Sequence, residues 1–318
     1  MVPLRVGPAD AGRRVSLRRR LPDGGAGDVV GVLEAWDGDG LRVRRRSGEV
    51  VAIAVPDLLG GLVVAPQWGA FDLQEVAEAG WPPAETADLR GWRLRRHPGG
   101  TGRANSARVS PDLDLDLREQ LADVAAWYRA RGVRPTLQTP SPSAWDPGFE
   151  ALGWAVRRRT SFFTVATDDL VARAGASEGL LIEHAGAPGE EWVALMDEPR
   201  DLHDALVDIL TATPRADFVT VRDASTREAL AIGRASLGSG PGRRSRERWA
   251  GVTSVATAPA ARRRGAATAV MAGLAAWAQE QGAASTYLQT LADNTPAIAL
   301  YERLGFVRHH DYVYRSPA

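Results

Sequence analysis

The sequence predicts a mixed α/β (α+β) protein, built by duplication and preceded by a small SH3-like β-barrel. Three observations predict it. The first 65 residues read as short strands broken by turns, and the last third alternates strands with helices. In addition, a series of short matches in the same order links residues 66–166 to residues 167–318. At ~150 residues per domain, 318 residues allow two domains, or three if one is small. The expected boundaries are 1–65, 66–166 and 167–318.

Composition narrows the chemistry. Apolar residues are 44% and charged residues 25%, ordinary for a chain with more than one core. The 39 basic residues balance 39 acidic ones, so no global field draws the protein to nucleic acid or anionic lipid. All the basic residues are arginine, which excludes a lysine Schiff base and a Walker-type phosphate lysine. The lack of cysteine excludes disulfides, thiolate metal sites and a cysteine nucleophile. No apolar run approaches the ~18 residues of a membrane span, and residues 1–14 carry no signal-type apolar core. A cytoplasmic protein without a membrane partner is expected.

Val15–Leu21, Val29–Trp36, Leu41–Arg46 and Val50–Val55 alternate as strands, with Asp23-Gly24-Gly25, Asp37-Gly38-Asp39-Gly40 and Ser47-Gly48 as turns. This stretch has ten arginines against eight acids, clustered at 18–20 and 44–46. Solvated strand faces account for them better than a nucleic-acid or peptide reader does. A helix follows at Phe71–Ala79, broken by Trp81-Pro82-Pro83, and Gly91–Arg96 with Arg103–Val109 reads as a hairpin. The helix Leu117–Arg131 carries Leu117, Leu121, Val124 and Tyr128 on one stripe and ends at Gly132. Leu180–Glu183 reads as a strand, Glu190–Met196 and Leu202–Leu210 as helices, and Phe218–Arg222 with Ala229–Leu237 as a hairpin. After the Gly/Arg/Ser loop Gly238–Arg248 come strand Gly251–Thr257, helix Ala266–Gln281, strand Thr286–Thr290, helix Pro296–Leu304 and strand Val307–Tyr314.

The repeat rests on three matches. Ala125-Ala126-Trp127 matches Ala275-Ala276-Trp277, Leu137-Gln138-Thr139 matches Leu288-Gln289-Thr290, and Phe149-Glu150-Ala151-Leu152-Gly153-Trp154 matches Tyr301-Glu302-Arg303-Leu304-Gly305-Phe306. Their differences carry the chemistry. In the second copy a strand leads into Arg262-Arg263-Arg264-Gly265-Ala266-Ala267 and directly into a helix. Such a turn gathers unpaired N–H groups, the positive end of a helix dipole and arginine charge, a setting for a diphosphate. The equivalent first-copy turn, Pro111-Asp112-Leu113-Asp114-Leu115-Asp116, presents three carboxylates and no glycine, and it repels the same ligand.

Residues Val255–Ala267 resemble the acyl-CoA-binding motif of the GNAT N-acetyltransferases, Gln/Arg-x-x-Gly-x-Gly/Ala, with Arg262, Gly265 and Ala267 at its fixed positions. A second signature of that family is matched by Asn294, Ala297, Tyr301, Leu304, Gly305 and Phe306. The whole chain resembles an actinobacterial GNAT protein with an SH3-like segment and two acetyltransferase-like units, the first degenerate. Thr101-Gly102-Arg103-Ala104-Asn105-Ser106 belongs to this wider, looser match.

The resemblance implies a mostly antiparallel GNAT sheet with flanking helices, and acetyl-CoA as cosubstrate. The pantetheine arm is then expected between the strands at 251–257 and 286–290, paired with backbone groups of Val255 and Thr257. The amides of Arg263, Arg264, Gly265, Ala266, Ala267 and Thr268 are expected to hold the pyrophosphate, with Arg262 beside them, and Asn294 to orient the arm. Tyr301 is the implied general acid for the leaving thiolate, since a phenol near ~10 and a thiol near ~8.5 are nearly matched. Phe149 has no proton to give, so one active site per chain is expected.

Without cysteine, direct attack by an amine acceptor, a small molecule or a protein, is favoured over an acyl-enzyme. The general base stays open among Glu247, Glu183, His184, a water chain and an amine arriving neutral. Simpler readings stay open as well: Arg262–Arg264 as a solvated run, Tyr301 as a core aromatic, and Asn294-Thr295-Pro296 as an ordinary helix start. His309 and His310 adjoin in a strand and are expected to face opposite ways. With His97 and His203 they give no metal-ligand spacing, so no metal is expected. The competing function is a binding protein that senses acyl-CoA while its barrel recognises a partner or nucleic acid.

Overall fold

The computed structural model describes residues 4–318 apart from 39, 46–48, 65–67, 100, 112–114, 176–177 and 241–246. The chain forms two compact units, residues 1–69 and 70–318.

The first unit holds β1 (Leu4–Arg5), β2 (Arg14–Arg20), β3 (Ala26–Trp36), β4 (Gly40–Arg44), β5 (Val50–Ala54) and β6 (Leu58–Val63), in sheet order β1-β6-β2-β3-β4-β5. Strict alternation buries Val15, Leu17, Val29, Leu33, Leu41, Val43, Val51 and Ile53 on one face. The strand β6, absent from the sequence expectation, pairs antiparallel with β2 on the side away from β3.

The second unit contains α1 (Ala70–Ala79), β7 (Glu85–Leu89), β8 (Trp92–Arg96), β9 (Ala107–Arg108), α2 (Leu117–Arg129), β10 (Leu137–Pro140), α3 (Asp146–Ala151) and β11 (Trp154–Ala166). It continues with α4 (Thr167–Arg173), β12 (Leu180–Ala185), α5 (Glu190–Ala194), α6 (His203–Thr211), β13 (Ala216–Asp223) and β14 (Ala229–Ser239). β15 (Arg248–Thr257), α7 (Ala266–Glu280), β16 (Ser285–Leu291), α8 (Thr295–Arg303) and β17 (Val307–Pro317) complete it.

These strands form one sheet, ordered β12-β13-β14-β15-β16-β11-β17-β10-β9-β8-β7. The order is a palindrome of the repeat. If β7–β11 correspond to β13–β17, each copy runs inward in the same sequence, and the last strands are exchanged. β11 of the first copy pairs with β16 of the second, β17 pairs with β10, and the two exchanged strands pair antiparallel at the pseudo-two-fold axis. The fold is thus the duplicated, mostly antiparallel mixed α/β sheet that the sequence predicts, with an exchange that it does not announce.

One expectation changes. β8 does pair antiparallel with β9, at Arg93↔Arg108, but Arg103–Val109 contributes only the two-residue β9, and the main partner of β8 is β7, turning at Arg90-Gly91. The N–H of Asn105 bonds back to Thr101 O, so most of the expected second strand is a turn.

Successive residues of each strand face opposite layers. Val219, Val221, Ala231, Ala235, Val252 and Leu288 pack under α4 and α7, against Leu170, Val270 and Leu274. Phe218 and Ile232 face the other way, toward Trp192, Leu206, Leu210 and the first copy's Trp81. Alanines at 266, 269 and 275 let α7 lie close to the sheet.

Candidate functional site

The turn before α7 passes through the left-handed region twice. Gly265 is the N-cap at φ +81° and Arg263 has φ +65°. The left-handed region is open to glycine and costs other residues ~1–2 kcal/mol. No side chain caps the helix, and the first bond into it is from the Ala269 N–H to Gly265 O at 3.0 Å. Among the described residues the amides of Arg263, Arg264, Gly265, Ala266, Ala267 and Thr268 have no partner. Arg262 and Arg263 are exposed beside them. Arg264 instead reaches Asp223 at 2.7 Å in the β13–β14 turn. The carboxylate of Asp223 is held well below its ordinary range by hydrogen bonds from Ser225 and Thr226 and by Arg264.

Next to this turn, β15 and β16 part. They pair in parallel from Trp249↔Ser285 to Val252↔Leu288 and no further, although β15 stays with β14 as far as Thr257. Opposite Gly233 the register shifts, so Ser254 and Val255 occupy the space of one residue, with Ser254 at φ +53°. This bulge turns the strand away. The backbone of half-buried Val255 and Thr257 therefore faces an open flank with no strand partner from β16.

Tyr301 on α8 packs into the cluster that contains Val252, Val255 and Leu288, edge-on to Phe306 at 5.9 Å. Its hydroxyl has no hydrogen-bond partner among the described residues, and burial alone pushes the phenol up to about 12. The near match with a thiolate read from the sequence therefore does not hold for the folded chain. Asn294 caps α8, its Oδ1 accepting from the Ala297 N–H at 3.4 Å. That cap leaves the Nδ2 group exposed.

The first copy closes each of these features. Asp116 caps α2, its carboxylate accepting from the N–H groups of Arg118 and Glu119 at 2.9 and 3.1 Å. Asp112 and Asp114 lie outside the described residues. β9 and β10 stay together through the Val109 N–H to Gln138 O bond. The next carbonyl, that of Ser110, accepts from the Trp145 indole at 2.8 Å. Trp145, Phe149 and Trp92 pack edge-to-face and stacked with centroids 5.6–6.0 Å apart, all buried. By the repeat offset Trp145 corresponds to Ala297 and Phe149 to Tyr301. The indole thus closes on the carbonyl just beyond the last β9–β10 bond, a feature not legible in the sequence because Trp145 itself matches no motif residue, although Ala297 does.

The base candidates are otherwise engaged. Glu183 on β12 is paired with Arg222 at 2.6 Å and Arg227 at 2.7 Å, and the Arg222 hydrogen bond lowers its pKa. His184 bonds Asp217 at 2.7 Å, where burial raises the Asp217 carboxyl. Glu247 sits just before β15, its backbone oxygen accepting from Gly240 N at 2.7 Å. His309 and His310 do not face opposite ways. The β11–β17 register skips His309, and this bulge brings the two Nδ1 atoms to 2.8 Å. Burial, with His309 close by, depresses His310 to about 3. Among the described residues no group of three or more His, Cys, Asp or Glu could hold a metal.

Known proteins share this fold. Residues 72–315 match the family model described as "Probable histone acetyltransferase Rv0428c C-terminal". The chain belongs to this family of GNAT N-acetyltransferases. Residues 9–60 are similar to "Rv0428c N-terminal Sm-like domain". The chain is 24% identical over 254 residues to the uncharacterized N-acetyltransferase YobR of Bacillus subtilis (strain 168), covering 76% of this chain and 96% of that one. Its fold is shared with a GCN5-related N-acetyltransferase from Kribbella flavida, at TM-score 0.60 and 14% identity over 79% of this chain and 96% of that one. It is also shared with a tandem GNAT protein from the clavulanic acid biosynthesis pathway, at TM-score 0.55 and 15% identity over 76% and 86%. The GNAT enzyme fold and its doubling here are therefore those of established acetyltransferase structures.

Proposed function

We propose that residues 251–306 hold acetyl-CoA in the second copy alone and that an amine attacks its thioester directly, one site per chain. A single observation carries this: at corresponding places the second copy is open where the first is shut. Free amides stand against the Asp116 cap, parted strands against paired ones, and Ala297 against Trp145.

The amides of 263–268 would accept the pyrophosphate with Arg262 and Arg263 nearby, and Val255 and Thr257 would bond the pantetheine amides as an added strand. The Asn294 amide group orients the arm. The amine nitrogen bonds to the acyl carbon, the C–S bond breaks, and the amine proton leaves, giving an amide and CoA thiol. A phenol at about 12 remains protonated at neutral pH. Tyr301 therefore donates a hydrogen bond that strengthens as charge develops on sulfur, and the proton lost by the amine returns through water to the thiolate. With Glu183 and His184 engaged, the amine arrives neutral or passes its proton to water, Glu247 being the nearest upstream acid.

The domain reading accompanies this proposal: an SH3-like barrel at 1–65, a degenerate unit at 66–166 and the acyl-CoA-binding unit at 167–318, the last two sharing the sheet. No helix of the described residues is long and apolar enough to cross a membrane, and use of acetyl-CoA fits a cytoplasmic setting. The acceptor is an amine on a small molecule or a protein. The test is release of CoA thiol from acetyl-CoA with a panel of amines, beside calorimetric titration with acetyl-CoA. Uptake with turnover supports the enzyme, whereas uptake without turnover, unchanged in Tyr301→Phe, identifies an acyl-CoA sensor. No uptake rejects both.

A further inference from the structure

We infer that the acceptor carries an oxyanion, a carboxylate or phosphate, close to its amine, and that Arg234 and Arg103 hold it. The inference rests on the acyl-CoA reading above, which places the reactive end of the arm at the apex of the parted strands.

Arg234 lies on β14 opposite Thr253, the first residue of β15 beyond the last β15–β16 pair. It is 0% exposed. Its Nη1 donates to Gly80 O at 3.1 Å and reaches Thr253 Oγ1 at 3.5 Å, while Nε and Nη2 are buried without a partner. Those two nitrogens share one edge of the guanidinium, the edge that grips a carboxylate or phosphate through two parallel bonds. Arg103, from the turn after β8, sits 4.9 Å above the Trp81 ring and also has a buried, unpartnered Nε. Gln289, the β16 residue across the apex from Thr253, accepts from Tyr312 Oη at 2.6 Å and leaves its buried Nε2 unpartnered.

A buried cation without a counter-charge is costly, and proteins pair such groups. This chain does so elsewhere. Buried Arg95 has Glu78 at 3.5 Å, and buried Arg315 has Asp146 at 3.1 Å and Glu150 at 3.3 Å. Among the described residues Arg234 and Arg103 have no carboxylate. Their titratable neighbours are the phenols of Tyr287, Tyr312 and Tyr314, and each other. Burial draws Arg234 down to about 10, so it is still a cation at neutral pH. Two cations and four unsatisfied donor nitrogens beside the apex are completed by an anion that arrives with the acceptor.

The experiment compares paired amines on the wild-type chain: the common α-amino acids against their C-terminal amides, and phosphoethanolamine against ethanolamine. The two sets separate carboxylate from phosphate. The anionic member of at least one set should be favoured tenfold or more in kcat/KM. Arg234→Met should raise the KM for that member by about 30-fold or more, with the affinity for acetyl-CoA within twofold. Arg103→Met, on a half-buried turn, gives the same KM-selective loss should the core variant fail to fold. Neutral members equal to or better than anionic ones, with acetyl-CoA binding intact, overturn the inference and leave the acyl-CoA reading standing. Loss of acetyl-CoA binding by the wild type overturns that reading instead.

Discussion

Tyr301 is the residue on which chemistry and burial pull against each other. It stands in an apolar cluster with no hydrogen-bond partner among the described residues and a phenol raised to about 12. A hydroxyl left unsatisfied in a core costs about 1–3 kcal/mol, so removing it should not harm the fold. Tyr301→Phe is expected to keep or slightly raise the melting temperature and to leave acetyl-CoA affinity unchanged. Turnover should fall by ~10²–10⁴, the usual worth of a positioned proton donor. Steady-state kinetics beside a thermal melt check this, and equal turnover in the two proteins would return Tyr301 to the core. The contrast of Tyr301 with Phe149 was legible in the sequence because a motif match compares residue types directly. Arg234 was not. An arginine in an alternating strand reads as a solvent-facing position, and only the packing of Gly80 and Trp81 over β14 buries it. His309 was misread for a related reason: strict alternation assumes a regular strand, and a one-residue bulge reverses it.

Elements set the two copies apart. α7 and α2 are equivalent helices, yet α7 begins with bare amides and α2 with the Asp116 cap. Beside them β15 and β16 part, whereas in the other copy Trp145, at the position matching Ala297, bonds the Ser110 carbonyl just beyond the paired β9 and β10. Ala297→Trp should therefore copy the plug into the second half. We expect loss of measurable acetyl-CoA binding by calorimetry with little change in far-UV circular dichroism. Retained affinity would mean that the arm lies elsewhere. The converse, Trp145→Ala, should cost about 3–5 kcal/mol by leaving a cavity and create no second site, since Asp116 still holds the amides; chemical denaturation and ligand titration read the two effects. Six helices and most strands were visible from periodicity and turn composition, whereas the short α3 and α4 were not. β11 was not, because Arg157, Arg158 and Arg159 interrupt its pattern, and its buried half, Thr160 to Phe163, gains meaning only between β16 and β17. β7 was hidden for a similar reason, as an edge strand whose Glu85, Ala87 and Leu89 are only half-buried.

At the scale of the second unit the strand exchange couples the two halves, since neither copy completes its sheet without the other's last strand. Neither half is expected to unfold alone, and the buried tyrosines supply a way to see it. Burial raises Tyr128, in the first copy, and Tyr287 and Tyr301, in the second, to about 12 each, and raises Tyr314 as well. An unfolded phenol titrates near 10. As pH rises from about 10 to 12 the unfolded chain releases protons that the folded chain retains, so it binds fewer, and stability falls with pH. The contribution is whole below about 10 and lost as pH passes the folded values. Each of the three phenols near 12 then accounts for on the order of 2–3 kcal/mol at the upper end. An alkaline titration followed by tyrosinate absorbance and circular dichroism should show ionisation and loss of structure together, in one steep transition starting above about pH 10. The Tyr128→Phe variant should lose amplitude from that same transition. Two separated steps, with Tyr128 ionising apart from Tyr287 and Tyr301, would show that the halves unfold independently and that the exchanged strands do not hold them as one.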